Sequence, residues 1–322
     1  MKRYLIILIL TLIMGVLAYN NIDSLTDFNP FNGYITVPDK ITETFLGSEM
    51  QLLNSSDKSN PLINLNKKKV SRSKNHRNLV FTSAGDNTKF DKLWTGDNRN
   101  YDIMAVYYGK SDGNYNKYSK SVDWILKRKG SKFQNFQFVF NNHKDIIDKY
   151  DRFFILDDDI VFDSNDINNM FKISRKYDFW ICGPTFKNVP ECKISHINTE
   201  SQVPNNFKGT QFRYTNFVEV NVPLFNRKAL DKLMNIYDPV LIGWGIDYLY
   251  IWSCDMNHKR RFALIDSITC INPQDNTKKN NKRELMNLKG ANKREATWKK
   301  FADKYGIPHN WKTKTWKKVN TN

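Results

Sequence analysis

Cysteine is scarce in this chain. Cys182, Cys192, Cys254 and Cys270 are the four among 322 residues, and no two stand in a CxxC spacing. That argues against a zinc knuckle or a thioredoxin-type redox site. In an oxidising compartment Cys182 and Cys192 could bridge across a short loop; buried free thiols are the equal alternative. Acidic residues are also in short supply. Against 50 Lys and Arg stand 33 Asp and Glu, a net charge of +17. Such basicity suits anionic partners (nucleic acid, phosphorylated substrates or an anionic membrane surface) without choosing among them. Residues 274–322 carry 14 basic and 4 acidic residues, so +10 of the total lies in the tail. Asn and Lys are abundant throughout, as AT-rich coding DNA produces, so codon bias explains part of the excess.

A full-length apolar span is a third absence. Met1-Lys2-Arg3 leads into an apolar run from Tyr4 to Tyr19, roughly 16 residues, where a spanning helix needs ~20. A basic start before such a run reads as targeting. It is either a signal-anchor or, with Val16 and Ala18 as a small-residue cleavage site, a cleaved signal peptide. Both send the remainder across a membrane. The expectation is therefore a single-pass membrane protein with a lumenal, ER- or Golgi-like domain, or a secreted one. Nucleic acid is not the expected partner, because the charge concentrates in the tail and the N-terminus leads out of the cytosol.

Disorder is excluded by what is present, since 40% hydrophobic and 14% aromatic residues suffice for a core. Four regions are expected: a targeting segment at 1–20, a stem at 21–77, a catalytic domain at 78–275, and a basic, partly helical extension at 276–322. The stem holds Pro30, Pro38 and Pro61, a glycosylation acceptor at Asn54-Ser55-Ser56, and no sustained periodicity. Past Asn78 the texture alternates. Strands are expected at Leu79–Thr82, Asp102–Tyr108, Arg152–Leu156 and Phe179–Cys182, and helices at 117–128, 131–149 and 165–176. Such alternation predicts an α/β fold with a mostly parallel central sheet flanked by helices. Ligands then gather at the carboxyl ends of the strands.

Asp157-Asp158-Asp159 lie at such an end, between the apolar Phe153–Leu156 and Ile160–Phe162. Three adjacent carboxylates held against buried segments need compensation. A hard divalent cation, Mn²⁺ or Mg²⁺, provides it. In extended backbone Asp157 and Asp159 share a face. The alternative is a solvated acidic turn. In Gly243-Trp244-Gly245-Ile246-Asp247, glycines bracket an indole able to stack on a sugar, with Asp247 either a general base or a helix N-cap. Residues 217–223 alternate in period 2, turning Glu219 and Asn221 away from Val218, Val220 and Val222, into a polar cleft or toward solvent. Lys129 and Lys132 precede a helix and could meet a diphosphate or be solvated. The tail residues 281–305 are expected to form one helix, with Leu285, Leu288, Trp298 and Phe301 on its apolar side.

Together these stretches resemble the DUF707 family of glycosyltransferase-like proteins, and more distantly GT-A enzymes such as the β-1,4-galactosyltransferases. The matching runs are NLVFTSAGD at Asn78–Asp86, DIMAVYYG at Asp102–Gly109, KGSK at Lys129–Lys132 and YDRFFILDDDI at Tyr150–Ile160. Further on come ISH at Ile194–His196, RYTNFVEVNVPLF at Arg213–Phe225, GWGID at Gly243–Asp247 and LIDS at Leu264–Ser267. The resemblance implies a GT-A-type nucleotide-diphospho-sugar transferase fold. It implies a glycosyltransferase using a UDP- or GDP-sugar donor and a glycan or glycoprotein acceptor; the alternative is a non-catalytic glycan-binding or structural protein on the same fold. Asp157 and Asp159 would serve Mn²⁺ or Mg²⁺ as a DXD motif. Asp158, Ser83, Gly85, Asp86, Tyr108 and Lys132 would line the donor, Asp247 would be the base, and Trp244, Glu219 and His196 would meet the acceptor. One departure stands out: relatives carry a histidine where this chain has Cys270, a poor ligand for a hard cation. Asp266 or His196 would be left to complete the shell.

Overall fold

A computed structural model describes residues 63–64, 77–192, 209–274 and 284–320, all within one compact unit, Asp57–Asn322. Ten strands form its sheet in the order β1-β4-β3-β2-β5-β8-β6-β9-β7-β10. The chain runs β1 (Ile63–Asn64), β2 (Asn78–Ala84), α1 (Phe90–Leu93), β3 (Asp102–Tyr107), α2 (Asp112–Ser119) and β4 (Trp124–Lys127). Next come α3 (Lys132–Asn142), α4 (Lys144–Ile147), β5 (Arg152–Ile155), α5 (Ser164–Lys176), β6 (Ile181–Phe186), β7 (Thr210–Thr215) and β8 (Leu224–Asn226). The remainder is α6 (Arg227–Met234), α7 (Ile246–Ser253), β9 (Phe262–Cys270), α8 (Arg294–Tyr305) and β10 (Thr315–Asn320).

This is a mixed α/β domain, and the mostly parallel sheet is corrected. Parallel pairing joins β4, β3, β2 and β5, and separately β6 with β9. The short β8 enters antiparallel between β5 and β6, and β7 and β10 add antiparallel strands at the far edge. Strand periodicity splits the core into two layers. Leu79 and Phe81 of β2, with Met104 and Val106 of β3, pack on one side with Phe133 and Phe136 of α3. Val80, Ile103 and Ala105 point to the other side, with Phe90 of α1 and Phe171 of α5. Because β2 is buried along its whole length, its apolar residues run unbroken, as a central parallel strand requires.

Local chemistry places the helices. Asp163 caps α5 by accepting from the Asp166 N–H, and Ile167, Met170 and Phe171 form its buried stripe. Before α3, the Gln134 Oε1 accepts from the Ser131 N–H at 2.8 Å. The helix expected at 117–128 is instead the end of α2 followed by strand β4. Likewise 131–149 divides into α3 and α4 at His143. The alternating stretch 217–223 is not a strand: it runs in turns beside the end of β5 into β8, burying Val218 and Val222 while Glu219 and Asn221 face a cleft. The expected stem contributes β1, paired antiparallel with β4.

Residues 284–320 are built into the same unit. The single tail helix resolves into 3₁₀ turns at Glu284–Asn287 and Ala291–Lys293, then α8, ended by Gly306 in the left-handed region. Trp298 and Phe301 enter the core, and burying side chains of this size stabilises by about 1.5–3 kcal/mol each. Trp298 stacks on Tyr248 with ring centroids 6.3 Å apart, and its Nε1 donates to the His309 carbonyl at 3.0 Å.

The membrane expectation is corrected. Among the described residues no helix is long and apolar enough to cross a membrane. The run Tyr4–Tyr19 and the acceptor Asn54 lie outside the described residues, and neither the anchor nor the lumenal address is carried forward. All four cysteines are buried and outside any disulfide, so Cys182 and Cys192 do not bridge.

Candidate active site

Above the carboxyl ends of β4, β3, β2 and β5 lies a cleft of about 960 Å³. Ser83, Gly85, Asp86, Tyr108, Lys132, Asp157, Asp158, Asp159, Glu219, Trp244 and Asp247 all line it. These residues come from segments as far apart as β2 and α7. His196 lies outside the described residues.

The three aspartates are half-buried, between Leu156 and Ile160, which are fully buried. Each is held differently. Asp157 accepts from the Asn221 Nδ2 at 2.6 Å and pairs with the Lys132 ammonium at 2.8 Å. Asp158 accepts the Gly85 N–H at 2.8 Å, fastening the β5 end to the turn after β2. Charge-assisted bonds of this kind are about twice as strong as neutral ones. Asp159 lies half-buried on the cleft wall.

Lys132 is a clamp. Besides Asp157, its Nζ donates to the carbonyls of Ile155 (3.2 Å), Val220 (2.6 Å) and Asn221 (3.1 Å). Burial pushes its pKa down, opposed by Asp157 first and by Asp159 and Asp158 after it. Three ammonium protons thus meet four acceptors, so Lys132 positions Asp157 and the 220–221 turn rather than offering a donor to a phosphate. The exposed cations on the cleft wall are Lys110 and Lys129.

Asp86 is likewise engaged. Its carboxylate accepts from the Tyr107 hydroxyl, the Asn114 amide at 3.1 Å and the backbone N–H groups of Lys110 (3.1 Å) and Ser111 (3.4 Å). The Tyr107 bond, most of all, lowers its pKa to about 2. Asp86 therefore holds the β3–α2 turn against the end of β2. At Gly85 a Cβ would lie 2.8 Å from the Tyr108 hydroxyl, so only glycine lets that ring close on the turn.

On the opposite wall Gly243 and Gly245 take φ of +71° and +80°. A Cβ on Gly245 would run into the Trp298 indole. Between them Trp244 stays 43% exposed, a large apolar ring left in a concave wall. Gly245, not Asp247, caps α7, and Asp247 accepts the Tyr248 N–H at 3.0 Å. The N-cap alternative is thereby removed. Burial first, and Glu219 beside it second, push the Asp247 pKa up to about 8.

Sequence reasoning missed the share of the tail in this site. Leu285, Asn287, Leu288 and Arg294 line the cleft, and the Arg294 guanidinium lies 5.7 Å from the Trp244 ring centroid. No local signal marks Arg294 among the basic residues around it. Asn221 was legible as a residue turned away from the valines, but not as the partner of Asp157. Asp266 is spent inside the fold, paired with Arg213 at 3.4 Å and accepting from Thr185 at 3.0 Å. Cys270 is buried and does not line the cleft, and burial drives its thiol pKa far up. Neither completes a metal shell.

Among the described residues no three His, Cys, Asp or Glu side chains converge as a metal-holding group. A protein-built cage is therefore not present among them. Asp157 already bonds Lys132 and Asn221 and Asp159 lines the cleft, so a cation held here would take one or two carboxylates and complete its shell with phosphate oxygens and water.

No curated protein matches the chain by sequence. Among solved structures it is similar to S. aureus TarS 1-349, at 12% identity and a TM-score of 0.43, covering 60% of this chain and 59% of that one. A second S. aureus TarS structure gives 8% identity and a TM-score of 0.43 over 71% of this chain and 39% of the other. A197 from STIV gives 14% and 0.33, over 60% and 84%. Scores of this size assign neither a fold nor an activity. The family is a different matter: the model for DUF707, protein of unknown function, matches residues 42–315, and the chain belongs to that family.

Proposed function

We propose that this protein is a metal-dependent glycosyltransferase of GT-A type, moving a sugar from a nucleoside-diphosphate donor to a glycan acceptor. One observation carries the reading: acids at the ends of parallel strands, an exposed indole and a half-buried acid of raised pKa line the same cleft. Ser83, Gly85 and Tyr108 line the nucleoside side, on a turn that Asp86 and Asp158 hold in shape. Lys110 and Lys129 face the diphosphate. Asp159, with Asp157 oriented by Lys132 and Asn221, would hold Mn²⁺ or Mg²⁺, which supplies charge neutralisation for the leaving diphosphate.

Trp244 offers the acceptor sugar a stacking face. Asp247 takes the proton of the acceptor hydroxyl as that oxygen bonds to the anomeric carbon and the bond to the diphosphate oxygen breaks. A base with a pKa of about 8 is well matched to that task near neutral pH. Burial keeps it there, and Glu219 adds like-charge repulsion.

The test is a hydrolysis and transfer panel of UDP- and GDP-sugars with Mn²⁺, beside calorimetry of UDP. Asp159→Ala should abolish Mn²⁺-dependent UDP binding, and unchanged affinity would overturn the DXD assignment. Asp247→Asn should lower turnover by at least ~10²-fold with donor affinity unchanged. Equal turnover would remove Asp247 as the base. Sugar binding without turnover of any donor would make the protein a glycan-binding module instead.

A further inference from the structure

The acceptor wall carries a feature that stacking and base catalysis do not use. Arg294 is the only arginine among the described residues that line the cleft. It comes from the start of α8, some 50 residues beyond Trp244 in the chain, yet its guanidinium lies 5.7 Å from the indole centroid. Two anchors fix that placement. Trp298, one turn further along α8, is buried against Gly245 and Tyr248. Ahead of it, Leu285 and Leu288 line the same wall and Ala291 is buried. The arginine is thus held half-buried in the wall beside an exposed ring.

An arginine beside a sugar-stacking indole has a specific chemical use. Its planar fork presents donors spaced for the two oxygens of a carboxylate or phosphate, and it keeps its charge at every working pH. Lys110 and Lys129 rise from the turns after β3 and β4 and serve the donor side. A neutral acceptor sugar would need the ring alone. Arg294 is the cation that the structure places against the indole, so an anionic group on a sugar held there meets it.

We infer that the acceptor is an acidic sugar, stacked on Trp244 with its carboxylate or phosphate group bound by Arg294. This deepens the transferase reading and rests on it. A single charge-assisted contact of this kind is worth roughly tenfold or more in affinity.

The experiment is a set of titrations of the full chain, followed by saturation-transfer NMR, with methyl glucoside, methyl glucuronide and glucose 6-phosphate. UDP with Mn²⁺ is titrated separately. Expected is a preference of about tenfold or more for one or both anionic sugars over the neutral one. Arg294→Gln should reduce the anionic sugars to the level of methyl glucoside without lowering the glucoside itself. Arg294→Lys should retain part of the preference, because charge survives and the fork does not. Preference for the glucuronide alone identifies a carboxylate acceptor, and for the phosphate alone a phosphorylated one. Equal binding of neutral and anionic sugars, or a preference that survives Arg294→Gln, overturns the inference. Binding of UDP with no sugar bound also overturns it and leaves the transferase reading standing. An Arg294-dependent preference without UDP binding keeps the acidic-sugar site and overturns transfer.

Discussion

The two walls of the cleft are built by opposite means. The wall at the ends of β2, β3 and β5 is stiff and polar: Asp86, Asp157 and Asp158 each accept bonds from a neighbouring turn, and Lys132 draws four acceptors together. The wall around Trp244 is assembled at a distance, from two left-handed glycines, α7 and a tail whose Trp298 closes against Gly245. The first depends on charge-assisted hydrogen bonds and the second on close packing. They should therefore fail differently, and each can be broken separately.

The largest effect is expected at Gly245. Gly245→Ala forces a left-handed φ on a residue with a Cβ and drives that Cβ into Trp298. Strain and overpacking together should cost about 3 kcal/mol, read as a lower urea midpoint. Limited proteolysis should then cut the tail before the sheet core. A loss under 1 kcal/mol by the same principles would mean that the tail does not brace this wall.

Lys132→Met comes next. It leaves three carbonyls and Asp157 without their ammonium, but Asp157 is one-third exposed and water takes over part of the loss. About 2 kcal/mol is expected, with the polar wall loosened and the Trp244 wall intact. Hydrogen exchange should speed up around 155–158 and 220–221 and not at 294–305. Uniform acceleration would erase the distinction between the walls.

Two pH effects sharpen the comparison. Asp247 releases its proton near pH 4 when unfolded and near pH 8 when folded. The folded state binds the extra proton, so the stabilisation is complete below pH 4 and is lost as pH rises to about 8. Asp247→Asn should reduce the fall in Tm between pH 5.5 and 8.5. Asp86 behaves with the opposite sign. Its folded pKa is about 2, below the ordinary 3.8, so its contribution holds above pH 4 and disappears as pH falls toward 2. Asp86→Asn should flatten the acid limb only, and this is the smallest effect because the group is close to solvent. A shared pH limb for both variants would contradict the separation.

The polar wall was legible because its signal is local. A strand that is apolar from Phe153 to Leu156 and ends in three acids can be read without knowing its neighbours, and so can an indole between glycines. Strand β4 was not legible: Trp124–Lys127 is four residues long, and its flanks suit a helix as well. The alternation at 217–223 misled, because Val218 and Val222 are buried by a turn, and the Asn221 side chain is drawn to Asp157. Strand β10 carries no apolar pattern at all, with Lys317 and Lys318 exposed, and only its pairing with β7 makes it a strand.

From sequence alone came the alternating α/β texture, the acids at a strand end, the glycine-bracketed Trp244 and Asp247 three residues after it. Periodicity and steric freedom act over a few residues, and a few residues are enough to read them. Tertiary structure decided the antiparallel entry of β8, the clamp that spends Lys132 on Asp157, and the carriage of Arg294 to the Trp244 ring. Those depend on which buried surfaces meet. Trp298 could have buried itself against many apolar faces, and only the assembled sheet offers the one beside Gly245.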